Sequence, residues 1–331
     1  VLVALSAAAW VLAIAVGPAP IPAATAVTVV LERLGVPVAR TWPDVVAAIV
    51  LDLRVPRALL AAVVGAGLAG AGVVFQGVLR NPLADPYVIG VSAGAAFGAT
   101  VALTGLAAAG AAVILVPGLA FAGAIGATAL VYGLARRGGD APVEDLLLAG
   151  VAVSAFLGAI VSWLQLSGGG SLQRVIYWLM GGFSGRGWPH VGAAAPLVAL
   201  GLAVAWLYGR ELDALLLGDE AARALGVAPA PARRTLVAAG ALLAAAAVAS
   251  GGLIGFVGLI VPHLLRLIVG PGHRRLIPAA ALGGATLLLL ADTAARSALP
   301  GGELPVGILT ALLGAPFFLG VLLRERRRFW T

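Results

Sequence analysis

Ten apolar stretches, at roughly 1–16, 57–79, 91–108, 111–134, 143–166, 191–208, 233–250, 253–269, 276–298 and 305–323, make up most of this chain. A helix needs about 20 largely apolar residues to cross a bilayer, and only backbone that satisfies its own hydrogen bonds is stable there. Repeated ten times, the pattern predicts an all-α polytopic membrane protein of about ten spans, one transmembrane domain over 1–331. Little is left for a soluble domain: 61% of the residues are hydrophobic and 11% charged, against about 45–50% and about 25% in soluble domains.

All 21 basic residues are arginine. Without lysine there is no phosphate-loop lysine, no Schiff base and no kinase lysine, so the chain is not a P-loop ATPase. Cysteine is absent as well, which excludes disulfides, iron–sulfur clusters and thiolate metal sites. No metal site and no cofactor of its own is expected. The formal charge of +7 belongs to loop topology rather than to nucleic-acid binding. The chain opens at Val1 with 16 apolar residues before Gly17-Pro18, short for a span, so the native beginning is expected to precede Val1.

With a cytoplasmic N-terminus, 14 arginines fall in inside loops and 7 outside, and both ends face the cytoplasm. Spans 2 to 5 then begin outside and spans 7 to 10 inside. Two inverted four-span blocks around span 6 are an arrangement common in transporters. Small residues crowd the spans, as in the run from Gly65 to Gly72 and at Gly283-Gly284, and they let helix backbones approach closely.

Three loops exceed what connection requires. Residues 17–56 form an outside segment in which Pro43 and Asp44 open a short amphipathic helix with Val45, Val46, Ile49, Val50 and Leu53 on its apolar side, expected to lie on the membrane surface. Residues 167–190 are flexible at first, then rich in Tyr177, Trp178, Phe183 and Trp188, the composition of an interfacial belt or of a substrate entrance. The third, "LLLGDEAARALGVAPAPARR" at 215–234, is a charged island. Asp213 is expected to cap one short helix through Leu217 that Gly218 ends, and Asp219 a second through Leu225 that Gly226 ends, with Pro229 and Pro231 beyond. Ala221, Ala224 and Leu225 share a face of that second helix, beside Glu220 and Arg223.

The Glu220-Ala221-Ala222 triplet, three residues and Gly226 resemble the EAA-x3-G signature of permease subunits in ATP-binding-cassette (ABC) importers. "LRVPRALLAAVVGAGLAGAGVVFQGVLRNPLADPYVIGVSAGAAFGA" at 53–98, "SGGLIGFVGLIVPHLLRLI" at 250–268 and "ADTAARSALPGGELPVGILTALLGAPFFLGVLL" at 291–323 resemble the ten-span branch that imports iron–siderophores, haem and cobalamin. The likeness covers essentially the whole chain. It implies a non-catalytic, type II importer permease of the bacterial inner (plasma) membrane, dimerising with a second copy of itself around a central pathway along spans 5 and 10, with help from 3 and 8. It also implies two cytoplasmic ATPases, which hold ATP and Mg, and a periplasmic substrate-binding protein that delivers the metal chelate.

Residue by residue, the resemblance assigns Gly218, Asp219, Glu220, Arg223, Leu225 and Gly226 to ATPase docking within a coupling element at 210–232. It assigns Arg54, Arg57 and Arg296 to binding-protein docking, although an arginine at a membrane edge is on general grounds a snorkelling anchor. Asn81, Leu83, Pro142 and Val143 fall at the cytoplasmic gate, where the two prolines of Asn81-Pro82-Leu83-Ala84-Asp85-Pro86 also make a rigid helix stop. Arg174, Tyr177, Trp178 and Met180 form a substrate entrance in which the arginine pairs a propionate and the others pack a ring, which favours haem among the chelates.

Two rival functions have some footing. Gly90-Val91-Ser92-Ala93-Gly94 matches G-x-S-x-G, which with His263 as base would suggest an intramembrane serine protease, but no strand precedes it and no third partner is evident. An ion-coupled secondary transporter would need ionisable groups inside its spans. Asp292 is the one acid well inside a span, and a structural hydrogen bond to a neighbouring helix is its expected role.

Overall fold

The computed structural model describes residues 1–106, 112–136, 141–167, 171–299 and 302–329. Its helices in chain order are α1 (Leu2–Ala15), α2 (Ala23–Arg33), α3 (Asp44–Ala48), α4 (Val55–Val78), α5 (Val91–Val101), α6 (Ala112–Ala135), α7 (Val143–Ser167), α8 (Leu172–Leu179), α9 (Trp188–Leu207), α10 (Gly209–Leu216), α11 (Asp219–Ala224), α12 (Pro229–Gly251), α13 (Val257–Val269), α14 (His273–Ser297) and α15 (Val306–Phe329). No β-strand occurs among the described residues. Arg137, the glycine run 168–170 and the side chains of Arg324, Arg326, Arg327 and Arg328 in the tail 324–331 lie outside them.

Among the described residues, six helices are long and apolar enough to cross a membrane: Asp44–Val78, Ile114–Ala135, Val143–Ser167, Trp188–Leu207, Pro229–Gly251 and His273–Ser297. Four shorter apolar helices are Leu2–Ala15, Val91–Gly105, Val257–Val269 and Val306–Gly320. The bundle is organised around α4, which packs against α9, α12, α13 and α14. In the most apolar window of Asp44–Val78, 83% of residues are buried, against 22% for Val143–Ser167, so α4 is the axis and α7 the periphery. The α4–α14 contact shows why the glycines are needed. A Cβ on Gly65 would stand 2.1 Å from the Gly284 carbonyl oxygen, and one on Gly284 2.2 Å from that of Gly65. Backbone packs directly on backbone there, as small-residue interfaces in membranes allow.

Two features of segment 17–56 depart from expectation. Residues 44–53 are not a separate surface helix: α3 continues through a π-helical stretch, Ile49–Arg54, into α4. Pro56 lacks an N–H and its ring crowds the carbonyl four residues earlier, and the wider turn accommodates both problems while keeping the helix continuous. Val50 is buried, whereas Val45 and Leu53 are exposed. Upstream, α2 was not anticipated.

Irregular backbone precedes both α5 and α13, over residues 80–90 and 252–256. The residue before each helix has a left-handed conformation, Gly90 at φ 85° and Phe256 at φ 68°. Phenylalanine disfavours that region, and the Phe256 ring is held flat on α15, where a Cβ on Gly314 would meet it at 2.3 Å. The two irregular segments touch: Tyr87 Oη donates to the Ile254 carbonyl at 3.0 Å.

Candidate functional site

Functional residues gather at opposite ends of α4, whose 24 residues span about 36 Å at 1.5 Å per residue. At its N-terminal end lies a network of arginines. Arg57 grips Asp292 of α14 through Nε, at 3.1 and 3.0 Å, and Nη2, at 2.8 Å, while its Nη1 reaches both oxygens of Glu303 at 2.9 Å. Arg296 holds the same aspartate at 3.2 Å. Asp292 is therefore the structural partner of a neighbouring helix, as its place in the sequence suggested. Burial alone would raise the Glu303 carboxyl, but the bonds from Arg57 and Ser184 outweigh it and hold the group below its usual range.

Arg54 and Arg296 do not present themselves to a partner, contrary to their expected docking role. Both are buried, at 5% and 6% exposure. Arg54 donates to the carbonyls of Ile14, at 3.0 Å, Ala15 and Ala19, and Arg296 to that of Ala13 at 3.0 Å. The carbonyls of Ala13, Ile14 and Ala15 close α1, where the last four have no partner within the helix and the macrodipole is negative, and that of Ala19 lies in the segment just beyond. The two arginines are thus a C-terminal cap delivered from elsewhere in the chain. Arg57, with 13% of its side chain exposed, is the one of the three whose charge pairs reach the surface, through Glu303.

Beside this network is a cavity of about 700 Å³ lined by Arg57, Gln173, Arg174, Tyr177, Trp178, Arg186 and Glu303, among others. It gathers three of the four expected entrance residues. Met180, at the end of α8, is not part of its wall. Arg174 and Tyr177 are exposed, whereas Trp178 is buried with its indole N–H unpartnered. Arg186 makes one long described bond, 3.5 Å to the Ala249 carbonyl, and desolvation lowers its pKa to about 10. Sequence reasoning missed Arg186 because nothing but its position between glycines sets it apart. Three guanidiniums and one carboxylate line the cavity, and of the three Arg57 is already paired with Asp292 and Glu303. Among the described residues no cluster of three His, Cys, Asp or Glu side chains could hold a metal ion.

At the other end of α4 stands the island, α10 and α11. The two glycine stops are as expected, with Gly218 at φ 102° and Gly226 at φ 81°. The caps are not. Asp213 lies inside α10, and its carboxylate instead takes the backbone N–H of His273, at 3.1 Å, and the ring Nδ1 at 2.5 Å, capping the start of α14. Gly218 rather than Asp219 precedes α11, and Pro229 opens α12 instead of lying in the loop, a position where a missing N–H costs nothing.

Asp219 turns inward, bonded to Arg80 and, at 2.8 and 2.9 Å, to Arg233. Burial acts to raise its carboxyl, but Arg233 and then Arg80 prevail and hold it below the usual range. Ala222 is fully buried and anchors α11, while Leu216, Leu217 and Leu225 are exposed at 42%, 67% and 63%, beside exposed Glu220 and Arg223. The island is a fastened knob with an apolar tip.

At the same end, in the loop that follows α4, Asn81 accepts the Leu83 N–H at 2.9 Å in a tight turn. The loop packs on α7, where a Cβ on Gly150 would lie 2.3 Å from the Val88 carbonyl oxygen. Val143 starts α7 and the Pro142 carbonyl receives its first-turn bond at 3.0 Å from Leu146. Asp85 in the same loop accepts the Tyr87 N–H at 2.8 Å, and burial raises its carboxyl above the usual range. Ser92 of the G-x-S-x-G match lies in the first turn of α5, with no strand before it.

The chain matches the FecCD transport family over residues 5–324. It is 45% identical to the cobalamin import system permease protein BtuC of Halobacterium salinarum, over 98% of this chain and 96% of that protein. It is 42% identical to the hemin transport system permease protein HmuU of Yersinia pestis, over 84% of each. A solved structure described as a metal-chelate type ABC transporter in an inward-facing conformation superposes with a TM-score of 0.84 at 34% identity, covering 98% of this chain and 97% of that one. With the island, the loop motifs and nearly all of the apolar helices inside the matched residues, the chain belongs to the FecCD transport family, the non-catalytic membrane permease subunits of ABC importers.

Proposed function

We propose that this permease imports a metal chelate as a homodimer, two copies enclosing a pathway near α7 and α15, with two separate ATPases on the cytoplasmic side and a substrate-binding protein outside. The observation that carries this reading is the island: three leucines exposed on a short fastened helix pair are costly in water and suited to a groove in a partner. The exposed apolar faces of α7, with Leu148, Val151, Phe156 and Trp163, and of α15, with Leu312, Leu313 and Leu319, suit lipid or a second copy.

Ten spans are supported by the six long and four shorter apolar helices. Two inverted blocks are supported by matched packing: α4 on α14 and α12 on α6, α5 on α6 and α13 on α14, with a left-handed residue before both α5 and α13. The arginine excess orients both termini to the cytoplasm of a plasma (inner) membrane, placing the island inside and the Arg57 end outside. Binding-protein docking at that outer end rests on Arg57 with Glu303 and on exposed Arg174, Arg54 and Arg296 serving as scaffold. Asn81, Leu83, Pro142 and Val143 remain our gate residues.

For the cargo we favour haem, since the cavity sets Arg174 and Arg186 beside Tyr177 and Trp178, charge for propionates and flat surface for a ring. The similarity to a cobalamin permease over nearly the whole chain favours a corrinoid as the second reading. ATP-driven uptake of haemin, cobalamin and ferric dicitrate by the complete importer in proteoliposomes decides among them. Haemin uptake that falls in Arg174→Ala is expected. Cobalamin uptake with none of haemin would select the second reading, and uptake of none of the three would end the chelate assignment.

A further inference from the structure

One carboxylate joins the island to the loop that follows α4. Asp219, the first residue of α11, bonds Arg233 in the first turn of α12, and on its other side takes Nη2 of Arg80. Arg80 lies two residues beyond the end of α4 and one before Asn81. Its Nε donates to the Leu215 carbonyl in α10 at 2.8 Å. The side chain thus reaches back from the loop to both helices of the island.

The backbone of Arg80 is unusual in a way that fits this placement. Its φ is 50°, and among the described residues Arg80 and Phe256 alone are non-glycine residues with positive φ. A bulky residue holds that conformation only where its surroundings impose it. At Phe256 the ring lies against Gly314. At Arg80 the conformation is that of a Schellman turn closing α4, with the Arg80 N–H on the Gly77 carbonyl at 3.2 Å and the Asn81 N–H on the Gln76 carbonyl at 3.1 Å, and from that turn the side chain reaches Leu215 and Asp219.

Beyond Arg80 the chain is stiff. Asn81 Oδ1 takes the Leu83 N–H, the Asn81 carbonyl takes the Ala84 N–H at 3.0 Å, Asp85 takes the Tyr87 N–H, and Tyr87 Oη ends on the Ile254 carbonyl. Two short hydrogen-bonded turns, joined through the backbone, therefore lie between Arg80 and the Tyr87 contact with the irregular segment before α13. The island also packs on α4, α14 and α12, and Arg80 adds to those contacts a hydrogen-bonded tie to the loop itself.

We propose that Arg80 and Asp219 are positioning residues that transmit motion of the coupling element to the Asn81–Pro86 loop, a direct tie between ATPase and gate within one chain. This rests on the island's being the ATPase contact. Stability alone does not explain the tie: the Arg80 and Asp219 side chains are 37% and 27% exposed, and pairs so placed contribute little to folding. Their value is in what they connect.

The chain has no cysteine, so one engineered thiol is a unique reporter. Leu83→Cys carrying an environment-sensitive fluorophore is placed in the complete permease–ATPase complex in nanodiscs, and the signal is compared without nucleotide and after trapping with ATP and vanadate. Arg80→Asn removes the guanidinium, and asparagine tolerates positive φ better than other non-glycine residues. It is expected to keep ATPase co-purification and basal hydrolysis within about twofold while the nucleotide-driven signal drops at least about fivefold, the scale of ordinary coupling between sites. Asp219→Asn should lose the signal equally and Arg80→Lys should recover part of it. A full signal in both Arg80→Asn and Asp219→Asn would overturn the tie. So would loss of the ATPase from Arg80→Asn, which would make Arg80 part of the docking surface. Retention of the ATPase by Leu225→Asp in the otherwise native complex would instead refute the coupling reading itself.

Discussion

The two ends of α4 use the same residue type for opposite purposes. At the Arg57 end, Arg54 and Arg296 are buried and their donors go to the carbonyls of α1 and to Asp292. At the Arg80 end, Arg80 is 37% exposed and bridges the loop after α4 to both helices of the island. The first network closes a helix terminus and neutralises charge inside the bundle, so its removal should appear in folding. The second joins a surface knob to a loop, so its removal should appear in transport. Burial, not residue identity or nearness to the membrane edge, separates scaffold from transmission.

The strongest way to break this comparison is Asp292→Ala. It leaves Arg57 and Arg296 facing each other inside the bundle without their shared counter-charge, and removing one partner of a buried pair costs about 3–5 kcal/mol. We expect loss of monodisperse protein in detergent, or a fall in thermal midpoint larger than for any Arg80 variant. A normal midpoint would show the outer network to be as dispensable to folding as the inner one.

Leu225→Asp comes next, with a different readout. A charge forced into an apolar contact costs several kcal/mol, enough to weaken ATPase binding more than about a hundredfold. Gly226→Val should act similarly, because valine resists the φ of 81° that ends α11. Both variants should insert normally; the thermal midpoint should match the parent in Leu225→Asp, since Leu225 is 63% exposed, and fall slightly in Gly226→Val, where the turn is strained. A lower midpoint without ATPase loss would place Leu225 in the fold instead of at an interface.

How much of this contrast could be read in the sequence follows from the range of the interactions. The apolar runs and the glycine stops of the island are local, and they gave the helices and α11 within a few residues. The carbonyls that Arg54 and Arg296 cap are 40 and 283 positions away in the chain, so no local pattern announces that partnership. Asp213 was read as a cap for its own helix and caps α14, 60 residues on. The π-helical stretch before Pro56 was equally hidden, since proline at that point fits a fresh helix start as well as a widened turn. Arg174, Tyr177 and Trp178 reach one cavity wall because α8 is one short segment, a proximity legible in the sequence, whereas only the folded loop brings Arg186 to the same cavity.

Arg54→Met sharpens the distinction at smaller scale. It uncaps α1 without leaving a buried charge unpaired, and favourable charges at helix ends are typically worth about 0.3–1 kcal/mol, up to about 2 when partly buried. A modest drop in thermal midpoint is expected, with binding-protein capture unchanged. Arg174→Glu should do the reverse, weakening capture or uptake and leaving the midpoint alone. Undiminished stability in Arg54→Met together with lost capture would return Arg54 to the docking role.

The smallest effect concerns acid and salt, and it tests whether exposure is the right divider. Asp219 and Glu303 both have carboxyls held below their usual ranges by arginines. A depressed folded pKa gives stability that is fully present above the unfolded value, about 3.9 for aspartate and about 4.3 for glutamate, and that is lost as pH falls through the folded value. Lowering pH from 7 to 5.5 should therefore disturb neither network. Salt should separate them, because screening acts on exposed pairs and much less on buried ones. Raising ionic strength tenfold should reduce the nucleotide-driven signal at Leu83 slightly, through the partly exposed Arg80–Asp219 pair, while the thermal midpoint set by Arg57 and Asp292, whose side chains are 13% and 2% exposed, stays constant. If the midpoint falls with salt while the Leu83 signal holds, the two ends have been assigned the wrong way round.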